Sequence, residues 1–106
     1  MTGAYTYFTE LAKQIEIPAN GILSRTLHQD ENLKAVLFGF DAGQELSEHT
    51  SSKPAILQII QGEAKLTLAN DTVEANPGAW IYMPANLKHG VYAQTPVIML
   101  LLLIKS

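Results

Sequence analysis

The sequence GQELSEHTSSKPAILQIIQG, residues 43–62, carries the pattern that decides the fold. It begins and ends at a glycine, has one histidine at position 49, and includes an apolar run over 55–60. A second stretch, GAWIYMPANLKH at 78–89, has a similar plan with its own glycine, proline and histidine. Short apolar runs that stop at glycine or proline are typical of β-strands joined by tight turns. The two stretches therefore predict strands that each present one histidine.

The same kind of pattern extends over most of the chain. Residues 63–68 alternate cleanly, with Ala64, Leu66 and Leu68 on one face, which predicts a half-buried strand. Further strands are predicted at 22–27, 35–40, 54–61, 72–75, 79–83, 89–93 and 97–104. The helical signal is limited to one or two turns that follow Thr9, a candidate N-cap. Eight or more short strands with frequent turn signals predict an all-β sandwich or small barrel.

Composition limits the classes of function. A chain of 106 residues predicts one domain, spanning 1–106. Its net charge of 7 − 10 = −3 and the lack of a basic run argue against nucleic-acid binding. Without cysteine, disulfides and thiolate zinc sites are excluded. There is no signal-peptide pattern, and the apolar stretch at 97–104 is far shorter than the roughly 20 residues of a membrane span, so we expect a cytoplasmic protein without a membrane partner.

The last predicted strand, 97–104, points to self-association. It is apolar without alternation, so both of its faces need to be covered. Only 16% of the residues are charged, against roughly 25% in a typical soluble domain. Ile56 and Ile60 also alternate away from the side chains expected to face the interior. In a chain this small another subunit is the simplest second cover, and we predict a homodimer.

Residues 43–62 and 78–93 resemble the two motifs of the cupin superfamily. These motifs are G-x5-H-x-H-x3-4-E-x6-G and G-x5-P-x-G-x2-H-x3-N. Six positions match in residue type and spacing: Gly43, His49 and Gly62 in the first motif, and Gly78, Pro84 and His89 in the second. The intervening gap, 63–77, is close to the shortest that the family shows. The resemblance implies a double-stranded β-helix, or jelly-roll, barrel that is often dimeric.

The departures from the motifs bear on the chemistry. Four motif positions hold other residues: Ser51 for the second histidine, Ala55 for the glutamate, Asn86 for the glycine and Ala93 for the asparagine. A complete family site implies three histidines and one carboxylate around a divalent metal such as iron, manganese, nickel or zinc. Only His49 and His89 carry over as metal ligands, and two protein ligands make a weak site, because structural zinc sites use four and catalytic ones usually three.

Candidates for a third ligand are few. Glu45 shares a face with His49 if the segment is extended, whereas Glu48 points to the opposite face. Gln58 faces away from the interior by alternation, although a bulge could turn it inward. Ser51 is a poor ligand because its hydroxyl is neutral. His28 lies at the end of an earlier strand and is expected to be exposed to solvent.

Around the two histidines the sequence predicts an apolar pocket. Its expected lining is Ser51, Ala55, Leu57, Gln58, Ile59, Leu66, Ile81, Met83 and Val91. A mostly apolar cavity with a few convergent polar groups is the usual form of a small-molecule site. A nucleophile elbow, a phosphate-binding glycine loop and paired carboxylates are absent from the sequence, so acyl transfer, phosphoryl transfer and glycoside hydrolysis have no support.

Three functions stay open from the sequence. The chain is a stand-alone small cupin that binds a divalent metal or a small ligand, or a metal-dependent dioxygenase or isomerase that takes a third ligand from outside the motifs. Alternatively it is a metal-free structural module whose role is to dimerise. The replaced positions Ser51 and Ala55 disfavour the enzyme, and the retained histidines disfavour the purely structural module.

Overall fold

Nine strands, all paired antiparallel, follow one short 3-10 helix in residues 4–105, which a computed structural model describes. The helix spans Leu11–Gln14. The strands are β1 Ile22–Gln29, β2 Leu33–Phe40, β3 Glu45–His49, β4 Ala55–Gln61, β5 Ala64–Leu68, β6 Asp71–Ala75, β7 Trp80–Met83, β8 His89–Ala93 and β9 Val97–Ile104. Residues 1–3 and 106, and with them the predicted domain limits, lie outside the described residues. The all-β prediction is confirmed.

The strands form two sheets that share one core. The five-stranded sheet has the order β1-β2-β9-β4-β7 and the four-stranded sheet the order β3-β8-β5-β6. One cluster of buried side chains contains Phe40 and Leu57 from the first sheet together with Leu66 and Val91 from the second. Each large apolar side chain buried in this way contributes roughly 1.5–3 kcal/mol to folding. The two sheets are therefore held together mainly by the side chains between them.

Strand β4 lies inside the sequence stretch 43–62 and shows how alternation builds the core. Ala55, Leu57 and Ile59 are buried, whereas Ile56 and Ile60, between and after them, are only half-buried on the opposite face. Successive side chains of a strand point to opposite faces, so one apolar run supplies both the core and a second apolar surface. This is the division that the sequence predicts.

The two motif stretches are joined by backbone hydrogen bonds. The N–H of Gly43 donates to the carbonyl of Ala93 at 2.7 Å, and the N–H of Ala93 donates to the carbonyl of Gln44 at 2.9 Å. The N–H of Gly78 donates to the carbonyl of Ile59 at 2.8 Å. The start of each stretch is thereby fixed to the other one, which sets the relation between the strands that carry the histidines.

The N-terminal segment lies on the outer face of the five-stranded sheet. Arg25 of β1 donates to the carbonyl of Gln14 at 2.8 Å, and Gly39 of β2 packs closely under the backbone of Glu16. Ile98 of β9, paired with Gly39, is buried on this face. The N-terminal segment of the same chain thus covers part of the outer face of β9. The expectation that another subunit covers this face is wrong for that part, and the dimer itself stays a prediction.

The helix differs from the sequence prediction at its start. It begins at Leu11, its N-cap is Glu10 rather than Thr9, and the cap makes no side-chain hydrogen bond. The helix is attached to the sheet instead, through its contact with β4 and the hydrogen bond from Arg25 to the carbonyl of Gln14. The described part of the chain contains no helix long and apolar enough to cross a membrane.

Candidate functional site

Two histidines face each other at one end of the four-stranded sheet. His49 is the last residue of β3 and His89 the first residue of β8, and the two are paired in the ladder. Their ring centroids are 4.3 Å apart, and the ring planes are inclined by 59°. The two residues that the sequence predicts as ligands thus lie side by side.

A β-bulge in β3 places His49 on the interior face. Between Leu46 and His49, β3 has two residues where β8 has only one, Gly90. In a regular strand, residues three positions apart point to opposite faces. The extra residue restores the phase, so that Leu46, which packs against the core, and His49 lie on the same side of the sheet. Gly90 lies outside the motif positions, and the signal that could have found it is a glycine in the middle of a strand.

Hydrogen bonds to the backbone fix the proton on each ring. Nδ1 of His49 lies 2.8 Å from the carbonyl oxygen of Ser47, and Nδ1 of His89 lies 2.9 Å from that of Leu87. A carbonyl oxygen can only accept, so Nδ1 is the donor in both rings. In the neutral imidazole Nε2 then carries a lone pair, and within residues 4–105 neither Nε2 makes a hydrogen bond. This arrangement is how proteins orient histidines that bind metals.

The two rings differ in exposure. His89 is 8% exposed and is the one buried polar side chain in the core of residues 4–105, whereas His49 is exposed. The ring of His89 therefore lies at the boundary of the apolar interior, and the ring of His49 reaches solvent. An ion or small molecule can approach the pair from the side of His49.

Two loops meet beside the histidines. The N–H of Asn86 donates to the carbonyl of Ser51 at 2.7 Å, and Lys88 lies 3.7 Å from Glu48. Asn86 replaces the glycine of the second motif and adopts a φ of 69°, a conformation that asparagine tolerates better than most residues. The Ser51 hydroxyl accepts the N–H of Lys53 at 3.3 Å within its own loop. Asn86 therefore has a positive φ of the kind that glycine adopts readily, and the Ser51 hydroxyl makes its hydrogen bond within its own loop.

A third protein ligand is not in place among the described residues. They contain no group of three or more His, Asp or Glu side chains that could hold a metal. Glu45 pairs with Tyr92 and lines a groove of about 590 Å³ on the outer face of the four-stranded sheet. The expectation that it shares a face with His49 is wrong, because the bulge intervenes. Gln58 pairs with Trp80 on the outer face of the other sheet, as alternation predicts.

The apolar residues predicted around the histidines lie in the interior. Six are buried members of the core cluster and one packs against it: Ala55, Leu57, Ile59, Leu66, Met83 and Val91, with Ile81 at its edge. The grooves of about 350 and 590 Å³ are lined by neither His49 nor His89. A pocket next to the histidines stays a prediction.

His28 lies apart from the histidine pair, on β1 of the five-stranded sheet. Its Nε2 is 2.7 Å from Asp30 Oδ2 and its Nδ1 is 3.2 Å from Thr6 Oγ1. It lies at the edge of the groove of about 350 Å³, whose lining includes Phe8 and Leu100. His28 is half-buried rather than exposed, and it links the N-terminal segment to the sheet.

The Asp30 carboxylate gives a pH-dependent prediction. Its hydrogen bond with His28, and those from the backbone N–H groups of Asn32 and Leu33, lower its pKa from 3.8 to about 2. A carboxylate whose pKa is lowered by folding stabilises the fold above its unfolded pKa, and this contribution is lost as the pH falls through its folded pKa. At about pH 6 we expect the wild type to have a higher melting temperature than Asp30→Asn. This difference in melting temperature should disappear as the pH falls from about 4 to 2. A gap independent of pH over that range would contradict this assignment.

A family model described as a cupin domain matches residues 36–105. The crystal structure of a conserved protein of unknown function from Streptococcus pyogenes has a TM-score of 0.86 and 33% identity, covering 100% of this chain and 91% of that one. A cupin superfamily protein from Desulfitobacterium hafniense has a TM-score of 0.86 and 28% identity, covering 91% and 88%.

A third structure shares the fold at lower identity. KdgF from Halomonas sp. has a TM-score of 0.78 and 24% identity, covering 81% of this chain and 82% of that one. At this identity the likeness concerns the fold alone. A comparison with curated proteins found no match.

Proposed function

Because the chain belongs to the cupin domain family, we propose that it is a stand-alone small cupin that binds a divalent transition-metal ion through His49 and His89. Water or a small ligand would complete the coordination. The observation that carries the proposal is the pair of adjacent rings whose Nδ1 atoms are held by the carbonyls of Ser47 and Leu87. Both Nε2 lone pairs are thereby left for a ligand.

The distances are compatible with one shared ion. Zinc binds imidazole nitrogen at about 2.0–2.1 Å, so two Nε2 atoms that share an ion lie at most about 4.2 Å apart. The ring centroids are 4.3 Å apart, so the two rings are near enough to approach one ion. The exposed ring of His49 also leaves room on the solvent side for further ligands. The pair thus fits as one half of a four-ligand site.

The donor set also favours particular metals. Imidazole nitrogens suit zinc, nickel and iron, whereas manganese and magnesium prefer carboxylates and water. The carboxylates nearest in sequence do not join the rings: Glu48 is near Lys88, and Glu45 lies on the outer face. Among the metals that the family resemblance suggests, we therefore place nickel and zinc first, iron next and manganese last.

Thermal unfolding in the presence of each metal tests this proposal. An ion that binds only the folded chain raises the melting temperature in proportion to the logarithm of its concentration above the Kd. We expect nickel and zinc to raise it and manganese to have the smallest effect. A melting temperature that ignores all of these ions would rule out the metal site and favour the metal-free structural alternative.

The arrangement of the two sheets relative to the histidines is also part of the proposal. We infer that the two sheets form the jelly-roll arrangement of the family, with the histidines at one open end beside an apolar pocket. The strand orders β1-β2-β9-β4-β7 and β3-β8-β5-β6, together with the shared core, support this arrangement. The cytoplasmic location that the sequence suggests is likewise part of the proposal.

A second copy of the chain is the partner we propose. On β4, β7 and β9 the outer face of the five-stranded sheet is uncharged, with the residues Ile56, Gln58, Ile60, Trp80, Tyr82, Ile98, Leu100, Leu102 and Ile104. Trp80 and Tyr82 are 59% and 51% exposed. Large aromatic residues of this kind are typical of the centres of protein interfaces. The N-terminal segment covers part of this face: Ile98 is buried, the 3-10 helix contacts β4, and Phe8 lines a groove with Leu100. The exposed aromatic residues of β7 are therefore the centre of the interface that we propose.

Sedimentation velocity at micromolar concentration tests the dimer. We expect twice the monomer mass for the wild type and a shift toward the monomer for Trp80→Ser combined with Tyr82→Ser, because these variants remove apolar contact area. Tyr92→Ser is the matched control, since Tyr92 is 41% exposed on the other sheet. A monomeric wild type, or equal effects of the two changes, would contradict this interface.

A further inference from the structure

We infer that Gly90 is a positioning residue for the histidine pair, because a side chain at this position would crowd the backbone of the bulge that turns His49 inward. The inference rests on the proposed function in so far as the pair binds a metal. The two residues Ser47 and Glu48 lie opposite Gly90 alone. Without this bulge, the three-residue separation between Leu46 and His49 would place them on opposite faces.

The space around Gly90 is closed by the backbone of the bulge. A Cβ at Gly90 would lie 3.2 Å from the Leu46 carbonyl oxygen, 3.3 Å from the Glu48 nitrogen and 3.4 Å from Glu48 Cγ. Two of these three neighbours are backbone atoms of β3, so they cannot move without moving the strand. A methyl group there pushes on the segment that leads directly into His49.

The same residues control the hydrogen bond that orients the ring. Nδ1 of His49 is held by the carbonyl of Ser47, which is itself a bulge residue. A displaced bulge therefore moves both the backbone of His49 and the acceptor that sets its tautomer. His89, by contrast, is held by the carbonyl of Leu87, which lies in the loop before β8 and outside the bulge. We expect a change at Gly90 to act on the metal pair mainly through His49.

The structure supplies a matched control. Gly39 lies in the interior of β2, and a Cβ there would also lie 3.2 Å from a backbone oxygen, that of Glu16. Gly39 is in the other sheet and is remote in the ladder from both histidines. Gly39→Ala and Gly90→Ala thus introduce similar crowding, and only Gly90→Ala introduces it at the bulge.

Deletion of Ser47 gives a second variant, in which the bulge opposite Gly90 is removed. With one residue fewer, Leu46 still pairs with Val91, Glu48 pairs with Gly90 and His49 pairs with His89, without a bulge. His49 then keeps its interior face by ordinary alternation. In this background the crowding around position 90 is relieved, and Gly90→Ala becomes compatible with the paired histidines.

The test combines a metal-free and a metal-dependent measurement on the folded full-length protein. The first is the nuclear Overhauser effect between ring protons of His49 and His89, whose centroids are 4.3 Å apart. The second is the zinc Kd. We expect Gly90→Ala to weaken the Overhauser effect and raise the Kd about tenfold or more, as changes to groups that orient ligands do. Gly39→Ala should leave both unchanged. The Ser47 deletion combined with Gly90→Ala should restore the Overhauser effect, whereas its zinc Kd should stay raised because the deletion also removes the Ser47 carbonyl that holds Nδ1 of His49.

The outcomes separate this inference from the proposed function. A wild type that binds no zinc would remove the proposed function, while the Overhauser effect would still decide the role of Gly90. An unchanged Overhauser effect in Gly90→Ala would overturn the inference. If Gly90→Ala does not fold, the combined deletion variant decides: paired rings support the role of Gly90, and separated rings overturn it.

Discussion

Replacing Gly62 by alanine is expected to cause the largest loss of stability of any glycine substitution in this chain. Gly62 joins β4 to β5 with a φ of 86°, which L-residues other than glycine adopt only at a cost of roughly 1–2 kcal/mol. A Cβ there would also overlap the carbonyl of Pro96 and would lie 3.0 Å from the Cα of Val97. Both neighbours are backbone atoms at the start of β9.

The turn around Gly62 cannot easily move away. The N–H of Glu63 donates to Thr95 Oγ1 at 2.9 Å, and the N–H of Gln94 donates to the Glu63 carbonyl at 2.9 Å. Crowding of this kind in a fixed setting typically costs a further 1–3 kcal/mol, so we expect roughly 2–5 kcal/mol in total. For a domain of this size that lowers the melting temperature by about 10 °C or more.

Two other glycines provide the control for Gly62. Gly43 and Gly78 have φ values of 84° and 93°, but a Cβ at either would have no atom of another residue within 4 Å beyond its chain neighbours. Gly43→Ala and Gly78→Ala should therefore show the conformational cost alone, about 1–2 kcal/mol. Denaturant unfolding of the three variants measures the difference. Equal losses at all three positions would show that the contact with Pro96 is not important.

The second large effect is expected on metal affinity. The free energy of zinc binding to a structural site with four ligands is about 10–16 kcal/mol, which corresponds to about 3 kcal/mol for each ligand. Removing either His49 or His89 should therefore raise the Kd of zinc or nickel by about two orders of magnitude. Isothermal titration of His49→Gln and His89→Gln against the wild type measures this loss. Affinities that stay within threefold of the wild type in both variants would place the metal elsewhere.

The two histidine variants should differ in stability. His49 is exposed, so His49→Gln should change the free energy of unfolding by less than about 0.5 kcal/mol. His89 is buried and its Nδ1–H is bonded to the Leu87 carbonyl, so its replacement should cost about 1–3 kcal/mol. His28→Gln is a useful control for metal binding, because His28 is bonded to Asp30 and Thr6 instead.

Much of the fold was predictable from alternation and turn residues. Leu57 and Ile59 of β4, and Leu66 of β5, have the interior positions that their spacing predicts. The ends of β8 and β9 also agree with the sequence. These features depend on local periodicity and on glycine or proline at the ends of strands, which a single sequence contains. The resemblance to the family motifs then indicated His49 and His89 as the candidate ligands.

The site was less predictable because it depends on pairing between strands. Strand β3, Glu45–His49, is polar and lacks the apolar alternation that predicts a strand, although its pairing with β8 makes it an edge strand. A bulge is a property of two strands together, so the sequence of one strand does not show it. This is why alternation alone places Glu45 on the wrong face, and why the sequence does not reveal the position of Gly90 opposite a bulge. The cover that the N-terminal segment gives to β9 likewise depends on packing between distant parts of the chain.

The central claim is that His49 and His89 together hold a metal ion. The most direct test is the metal content of untagged protein after equilibrium dialysis against zinc or nickel, compared with the variant in which His49→Gln and His89→Gln are combined. The proposed function predicts about one ion per chain in the wild type and essentially none in the double variant. Equal metal content in the two proteins, or none in the wild type, would contradict the claim.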